Sequence, residues 1–138
     1  LSPSVLENVG LVAALEFLLS HTIENHKFVA AENAEDMIRF PINVQLQIYR
    51  IAQEALANIK RHANAELVKM EVSLPGGQRF QMRIQDNGIP FEPDENLKKG
   101  RGIPNIRSRA SLIHAEVTWE KLENGTCFLL TKNIEVAG

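Results

Sequence analysis

The stretch PINVQLQIYRIAQEALANIKRHA, residues 41–63, decides the fold, because its apolar residues recur at helical spacing. They form one stripe that predicts a helix lying on a core: Val44, Ile48, Ile51, Ala52, Ala55 and Ile59. The opposite stripe is polar and carries Glu54, Asn58, Arg61 and His62 at i, i+4, i+7 and i+8. Such a face could hold a metal and a polyphosphate, although the solvated side of any amphipathic helix also shows a polar stripe.

Length and composition predict one ordinary globular domain. The chain has 138 residues, of which 44% are apolar and 23% charged, so it can bury a core but is too short for two domains. The net charge of −2 gives no electrostatic reason to expect nucleic acid as a partner, since a surface that follows phosphates is normally basic. The single cysteine, Cys127, excludes an internal disulfide and a cysteine-rich zinc site.

The printed sequence shows no sign of a targeting segment. No apolar run approaches the roughly 20 residues that cross a bilayer, and the amino end does not resemble a signal peptide. The chain is therefore predicted to be cytosolic. It begins at Leu1 without a methionine, which leaves room for a longer parent protein that carries a membrane anchor.

Three elements are predicted in the amino-terminal part of the chain. A helix of about 15 residues is expected from near Ser4, with a serine cap, and Gly10 is a point at which it could divide. Residues 26–32 suit a short strand. Pro41 suits the start of the central helix, because its missing N–H would be unpaired there anyway.

After residue 65 the apolar period changes from helical to alternating. This change predicts a hairpin of residues 68–74 and 80–84 around the turn Pro75-Gly76-Gly77-Gln78. A helix is predicted over residues 103–114, followed by two strands that turn at Glu123-Asn124-Gly125. Together the elements predict a two-layer α+β sandwich, in which helices cover one face of a mixed, mostly antiparallel sheet.

Two loops carry further candidate site residues. Asp86-Asn87-Gly88 follows a strand, where the carboxylate could accept a hydrogen bond from a purine amine, or could simply close the strand as an Asx turn. Lys98-Lys99-Gly100-Arg101-Gly102 leads into a helix. Free N–H groups at a helix start and nearby cations favour phosphate, but the same segment could be a flexible connector.

The order of these features resembles the nucleotide-binding motifs of the GHKL (Bergerat-fold) ATPase superfamily. The similarity is to the catalytic and ATP-binding domain of bacterial two-component sensor histidine kinases, specifically the nitrate- and desiccation-sensor type with short lids. It extends from LSPSVLENVGL, residues 1–11, to Gly125-Thr126-Cys127-Phe128. The most specific part is YRIAQEALAN, residues 49–58, followed by Arg61-His62-Ala63.

The resemblance implies a role for each candidate residue. Asn58 would bind Mg²⁺ beside the phosphates of ATP, and Glu54 would be the catalytic residue that polarises water or the incoming nucleophile. Asp86 would contact the adenine amino group, and residues 90–99 would form the lid. The other nucleotide-binding residues that the resemblance implies are Arg61, His62, Gly88, Ile89, Lys99, Gly100, Gly102, Ile103 and Thr126.

The resemblance also implies partners for the whole protein. The domain would supply the γ-phosphoryl of ATP to a histidine on a separate dimerisation and phosphoacceptor domain, and from there to a response regulator. Residues 1–10 would be the trailing end of that helical hairpin, and residues 11–138 the ATP-binding domain. The isolated chain would then be a monomer, the full-length protein a homodimer, and this part of it a cytoplasmic domain.

Two positions depart from the family pattern. Pro90 stands two residues after Gly88, where the family usually shows a second glycine, so the turn beneath the adenine must differ. Pro104 replaces a less rigid residue, which the first turn of a helix tolerates. Two alternatives stay open: a degenerate, non-catalytic interaction module in which Pro90 has closed the pocket, and a GHKL serine kinase of the anti-sigma type.

Overall fold

The central helix lies against a sheet in the computed structural model, which describes residues 1–91, 93 and 102–134. This helix, α4 (Ile42–Asn58), begins directly after Pro41, as predicted. Its predicted apolar stripe is buried along most of its length: Ile48, Ile51, Ala52 and Ala55. The amphipathic pattern therefore decides which side of α4 packs on the core.

Within the described residues the sheet has five strands, in the order β1-β2-β3-β5-β4. β1 pairs with β2 in parallel, and the other neighbouring strands are antiparallel. A parallel pair needs a long crossover connection, and α4 lies in the segment that joins β1 to β2. The predicted mixed, mostly antiparallel sheet is confirmed. The strands are β1 (His26–Ala30), β2 (Val68–Ser73), β3 (Arg79–Asp86), β4 (Glu116–Lys121) and β5 (Thr126–Asn133).

Helices cover one face of this sheet, and polar side chains occupy the other. On β3, Phe80, Met82 and Ile84 are fully buried, whereas Arg83 and Gln85 are exposed on the opposite face. The alternation confirms the predicted two-layer sandwich. Three further helices belong to the helical layer: α1 (Pro3–Val9), α2 (Leu11–Thr22) and α5 (Ile103–Leu112).

A sharp corner at Gly10 separates α1 from α2, where the sequence allowed a division. Gly10 has φ +86°, and a short helix absent from the sequence prediction, α3 (Ala34–Met37), supports the corner. The Glu35 carboxylate on α3 accepts hydrogen bonds from the N–H groups of Val12 at 3.1 Å and Ala13 at 3.2 Å, so it caps α2. Among the described residues no single helix is long and apolar enough to cross a membrane, and α1 and α2 reach that length only together, across a bend of 107°.

Some element ends differ from the sequence predictions. Ser2 rather than Ser4 caps α1, because its Oγ accepts a hydrogen bond from the Val5 N–H at 3.4 Å. β1 ends at Ala30, where residue 32 was predicted. α5 ends at Leu112 rather than residue 114, and His114 has a φ of +56°, which no α-helix can contain.

Candidate functional site

A cleft lies between the carboxyl end of α4 and the adjoining end of the sheet. Its empty volume is about 390 Å³, which includes the solvent at its open side. Asn58, Asp86, Ile89 and Thr126, all nominated from the sequence, line it. Asn58 is the last residue of α4, Asp86 the last of β3, and Thr126 the first of β5. The fold therefore assembles the cleft from the ends of three elements that are distant in sequence.

Asp86 is a buried carboxylate held by the turn after β3. Alternation along β3 places it on the helix-covered face, where only 4% of it is exposed. Its Oδ1 accepts a hydrogen bond from the Gly88 N–H at 2.8 Å, which is the predicted Asx turn. Burial raises the pKa of Asp86, and hydrogen bonds from the backbone of Gly88 and Thr126 oppose that rise. The Asx turn is confirmed and does not remove Asp86 from the cleft, whereas its contact with a purine amine stays a prediction.

Backbone contacts clamp the loop of Asp86 on both sides. A side chain at Gly88 would collide with the Ala63 carbonyl oxygen, to which the Ile89 N–H donates at 2.7 Å. Gly125 has φ +105°, and a Cβ there would collide with the Asp86 carbonyl oxygen. Sequence analysis identified Gly125 only as a turn residue and missed this support of the site.

Asn58 carries an unpaired polar group. The residue is 5% exposed, and its Nδ2 has no hydrogen-bond partner within the part of the chain that the structure describes. Its Oδ1 accepts a hydrogen bond from Arg61 Nη2 at 3.4 Å. A buried donor left unpaired costs roughly 1–3 kcal/mol, and an acceptor on a ligand in the cleft would offset that cost. Burial of Asn58 therefore favours ligand binding over a solvated stripe.

The side chain of Glu54 extends from α4 to the start of α5. Its Oε1 is 3.6 Å from Arg61 Nη2, and its side chain is 35% exposed. The carboxyl group packs against Gly102, the residue before α5, where a Cβ would collide with it. Glu54, Arg61 and Asn58 therefore form one connected polar row, as predicted for a single helix face.

The polar row stops following α-helical spacing after Asn58, because Ile59–Ala63 forms a π-helical turn. Its i→i+5 bonding widens the backbone spiral, so the spacing that placed His62 on the face of Glu54 no longer applies. His62 is half-buried and does not line the cleft, whereas Ile59 and Ala63 do.

Aromatic side chains that sequence analysis did not assign to a site form one wall of the cleft. Phe91, Trp119 and Phe128 line it, with ring centroids 6.5 Å apart for Phe91–Trp119 and 5.1 Å apart for Trp119–Phe128. The Thr126 Oγ1 fixes the backbone of Phe91 by accepting its N–H at 3.0 Å, and the Arg107 guanidinium lies 5.5 Å from the Trp119 ring. The alternation of Val117 and Trp119 along β4 was the signal in the sequence that could have placed Trp119 on the helix-covered face.

Other predicted site residues are not part of the observed cleft. Ile103 is fully buried in the protein and does not line the cleft. Lys99 and Gly100 lie outside the described residues, as does most of the predicted lid at residues 90–99. Of that segment the structure describes Pro90, Phe91 and Pro93.

Solved histidine kinase domains have the same fold. The histidine kinase domain of the Erythrobacter litoralis EL346 blue-light activated histidine kinase matches with a TM-score of 0.76 at 16% identity, over 94% of this chain and 68% of that chain. The catalytic domain of histidine kinase ThkA matches with a TM-score of 0.68 at 16% identity, over 90% of each chain. At these identities the similarity establishes the fold.

Sequence relatives identify the family. No protein-family model matches the chain. Sensor histidine kinase MctS of Rhizobium johnstonii is 33% identical over 132 residues, which cover 91% of this chain and 28% of that protein. Signal transduction histidine-protein kinase/phosphatase DegS of Brevibacillus brevis is 28% identical over 129 residues, which cover 91% of this chain and 33% of that protein. The chain belongs to the GHKL sensor histidine kinase family.

The chain spans 28% of the length of MctS and 33% of the length of DegS. The match therefore concerns one portion of each longer relative. The predicted Bergerat fold and the predicted kinase family are confirmed. The narrower assignment to nitrate and desiccation sensors stays a prediction.

Pro90, at which the chain departs from the family pattern, is accommodated beside the cleft. The amides on both sides of Pro90 are bonded, Ile89 N–H to the Ala63 carbonyl and Phe91 N–H to the Thr126 hydroxyl. Pro90 itself does not line the cleft. The missing N–H of a proline is thus accommodated in the turn, and Asn58 and Asp86 still line one cleft.

Proposed function

We propose that the chain binds ATP with Mg²⁺ in this cleft, as the catalytic domain of a sensor histidine kinase. The observation that carries the proposal is that Asn58 and Asp86 line one cleft, in which the Asn58 amide lacks a partner among the described residues. A carboxylate at one side and a polar row at the other suit a ligand with an amine-bearing base and a charged tail.

The base would occupy the side of the cleft near Asp86. The ionised carboxylate of Asp86 would accept a hydrogen bond from the exocyclic amine of adenine. Gly88, which belongs to the proposed nucleotide-binding set through the family resemblance, leaves room for the Ala63 carbonyl and so holds the Asp86 loop in place. Ile89 and Trp119 offer apolar surface for the ring. The Thr126 hydroxyl already accepts the Phe91 N–H, so its own proton is free to be donated to the base or to a water.

The Asn58 Oδ1 is the proposed protein ligand of Mg²⁺. Magnesium prefers oxygen ligands and commonly keeps waters and substrate phosphates around one or two protein oxygens, so a cluster of acidic ligands is not required. When bound, Mg²⁺ neutralises charge on the phosphates. Arg61 now donates to Asn58 Oδ1 and would have to release it, which leaves its guanidinium available to the phosphates.

The start of α5 completes the proposed phosphate site. Gly102 makes no side-chain cap for α5 and Pro104 has no N–H, so we assign the N–H groups of Ile103 and Asn105, which make no hydrogen bond to a described residue, as the backbone donors to an anion. Lys99, Gly100 and His62 belong to the proposed phosphate-binding set through the family resemblance. Gly102 also brings Glu54 beside this helix start, where Glu54 is the proposed catalytic residue that polarises the nucleophile.

The whole protein is proposed to act as a histidine kinase. In that proposal the domain supplies the γ-phosphoryl to a histidine on a dimerisation and phosphoacceptor domain, and a response regulator then receives it. Residues 1–10 are proposed to be the trailing end of that domain, and residues 11–138 the ATP-binding domain. The isolated chain is proposed to be a monomer and a cytoplasmic part of a homodimeric parent.

Calorimetric titration with a non-hydrolysable ATP analogue and Mg²⁺ tests the proposal. Asp86→Asn replaces an ionised acceptor by an amide that cannot match the adenine amine as well, so affinity should fall about 10-fold to 100-fold. Asp36→Asn is the matched control, because Asp36 is exposed on α3, and it should leave affinity unchanged. Binding that survives Asp86→Asn at full strength would contradict the assignment.

A second result would reject nucleotide binding altogether. If the wild-type chain is folded by circular dichroism but binds no nucleotide, the degenerate interaction module becomes the better account. Binding of the analogue, together with transfer of the γ-phosphoryl of ATP itself to a serine on a partner, would instead favour the anti-sigma type of kinase.

A further inference from the structure

A second concave site lies at the other end of the sheet from the nucleotide cleft. Its cavity volume is about 140 Å³, it is open on one side, and it shares none of the residues that line the cleft. Lys132 lines it and lies on β5 six residues beyond Thr126, which corresponds to about 20 Å along a strand. We call this site the basic pocket and define it by Arg39, His114 and Lys132.

Lys132 is the unusual member of the basic pocket. It is 9% exposed, and its Nζ donates to the Ile113 carbonyl at 2.6 Å and lies 5.5 Å from the Phe40 ring. Within the described residues no carboxylate forms an ion pair with it. Lysine is rarely buried without a paired anion, because removing a charge from water is costly. One carbonyl satisfies only one of the three N–H donors of an ammonium group.

The other residues of the basic pocket add charge and apolar surface. The exposed side chains of Arg39 and His114 lie at its rim, and none of the described residues that line it is acidic. Phe40 and Ile113 are buried beneath it, and Val44 from the first turn of α4 adds apolar surface. The basic pocket thus combines an apolar lining with a few placed polar groups, which is the composition of small-molecule sites.

We propose that the basic pocket binds an amphipathic anion, in which a carboxylate or phosphate head carries an apolar chain. The head would pair with Lys132 and Arg39 and supply a counter-charge that no described residue gives to the buried lysine. The chain would lie on the apolar surface of Phe40, Val44 and Ile113. Charge complementarity selects the anion, and the apolar lining selects the attached chain. The proposal does not depend on nucleotide binding in the cleft.

Titration of the ¹⁵N-labelled 138-residue chain with octanoate and with octyl phosphate tests the proposal by NMR. Saturable shifts are expected for the amides of Ile113 and His114 with at least one of the two probes, and the stronger probe identifies the preferred head group. Acetate should bind at least 10-fold more weakly than octanoate, because it lacks the chain. Octanol should also bind at least 10-fold more weakly, because it lacks the charge.

Substitution separates this site from general attraction of anions. Lys132→Met keeps the length and apolar character of the side chain and should weaken the preferred probe at least 10-fold. Lys69→Met, on the polar face of the sheet, should leave its affinity unchanged. If Lys132→Met does not fold, Arg39→Gln at the exposed rim should still weaken binding several-fold, without loss of structure. Equal binding by all variants, or shifts confined to Gly88 and Phe91 at the cleft, would overturn the proposal.

Discussion

Asp86 is held in a place that a carboxylate does not favour. Its side chain is buried on the helix-covered face of β3, and the backbone N–H groups of Gly88 and Thr126 compensate only in part for the lost water. A buried carboxylate that has no ion-pair partner among the described residues is typical of a ligand-binding site, where a donor on the ligand can pair with it. Stability and binding should therefore respond to this residue in opposite directions.

Asp86→Asn should raise the melting temperature at neutral pH while it weakens nucleotide binding. Burial raises the pKa of Asp86, so the folded state holds the proton more tightly than the unfolded state. The folded state therefore loses stability as pH rises from 3.8, the ordinary pKa of the carboxyl group, through the raised pKa of the folded state. The amide keeps the Oδ1 acceptor for Gly88 without the charge. Thermal unfolding followed by circular dichroism across acidic to neutral pH measures the effect.

The gain should shrink as pH falls from the raised pKa of folded Asp86 towards 3.8, the ordinary pKa of the carboxyl group, and should vanish below 3.8, because both states are then protonated. Asp36→Asn at the protein surface is the control and should show no such trend. A melting temperature that Asp86→Asn lowers equally at every pH would show that the carboxylate is not strained by burial.

Gly125→Ala should destabilise the protein more than Gly76→Ala. Both glycines have positive φ, which costs a side chain about 1–2 kcal/mol. An added Cβ at Gly76 meets no atom within 4 Å, whereas one at Gly125 collides with the Asp86 carbonyl. We expect a loss of about 1 kcal/mol for Gly76→Ala and of about 3 kcal/mol or more for Gly125→Ala. Urea unfolding measures both, and equal losses would contradict the proposed clamp.

At the scale of elements, the corner between α1 and α2 depends on a carboxylate from a third helix. Glu35→Ala should destabilise the protein by about 1–2 kcal/mol, because two N–H groups at the start of α2 lose their acceptor. Glu32→Ala, at an exposed position in the turn before α3, should stay within about 0.5 kcal/mol of wild type. Chemical denaturation measures the free energy of unfolding of both variants. Similar losses of that free energy would show that Glu35 does not stabilise the start of α2.

The central helix shows how far a sequence pattern predicts an element. The apolar stripe of α4 predicted its buried side because a regular helix repeats every 3.6 residues. The same spacing did not predict the π-helical turn at Ile59–Ala63, because the turn is fixed by a contact with a distant loop, Ile89 N–H to the Ala63 carbonyl. His62 was therefore grouped with Glu54 and Asn58, although it does not line the cleft.

At the scale of the whole molecule, the part of the site that the sequence predicts is the part oriented by the regular repeat of side chains along one strand or one helix. Strand alternation orients Asp86, and helical period orients Asn58. The burial of Asn58 and the wall formed by Phe91 and Trp119 depend on packing between elements far apart in the chain, so no local pattern contains them.

The first residues of the chain belong physically to the same core. Leu6 of α1 is fully buried and joins the cluster formed by Leu15, Ile48 and Ile51. The proposed boundary after residue 10 would therefore cross a packed interface. In a longer protein, a movement of the segment before the boundary would have to repack this cluster.

Trp119 lines the cleft and is the only tryptophan in the sequence, so the protein carries a built-in optical label at its candidate site. Fluorescence excited at the indole comes from this one place, with the Arg107 guanidinium 5.5 Å from the ring and two phenylalanine rings beside it. Occupancy of the cleft can therefore be followed by emission intensity and quenching, without attachment of any dye.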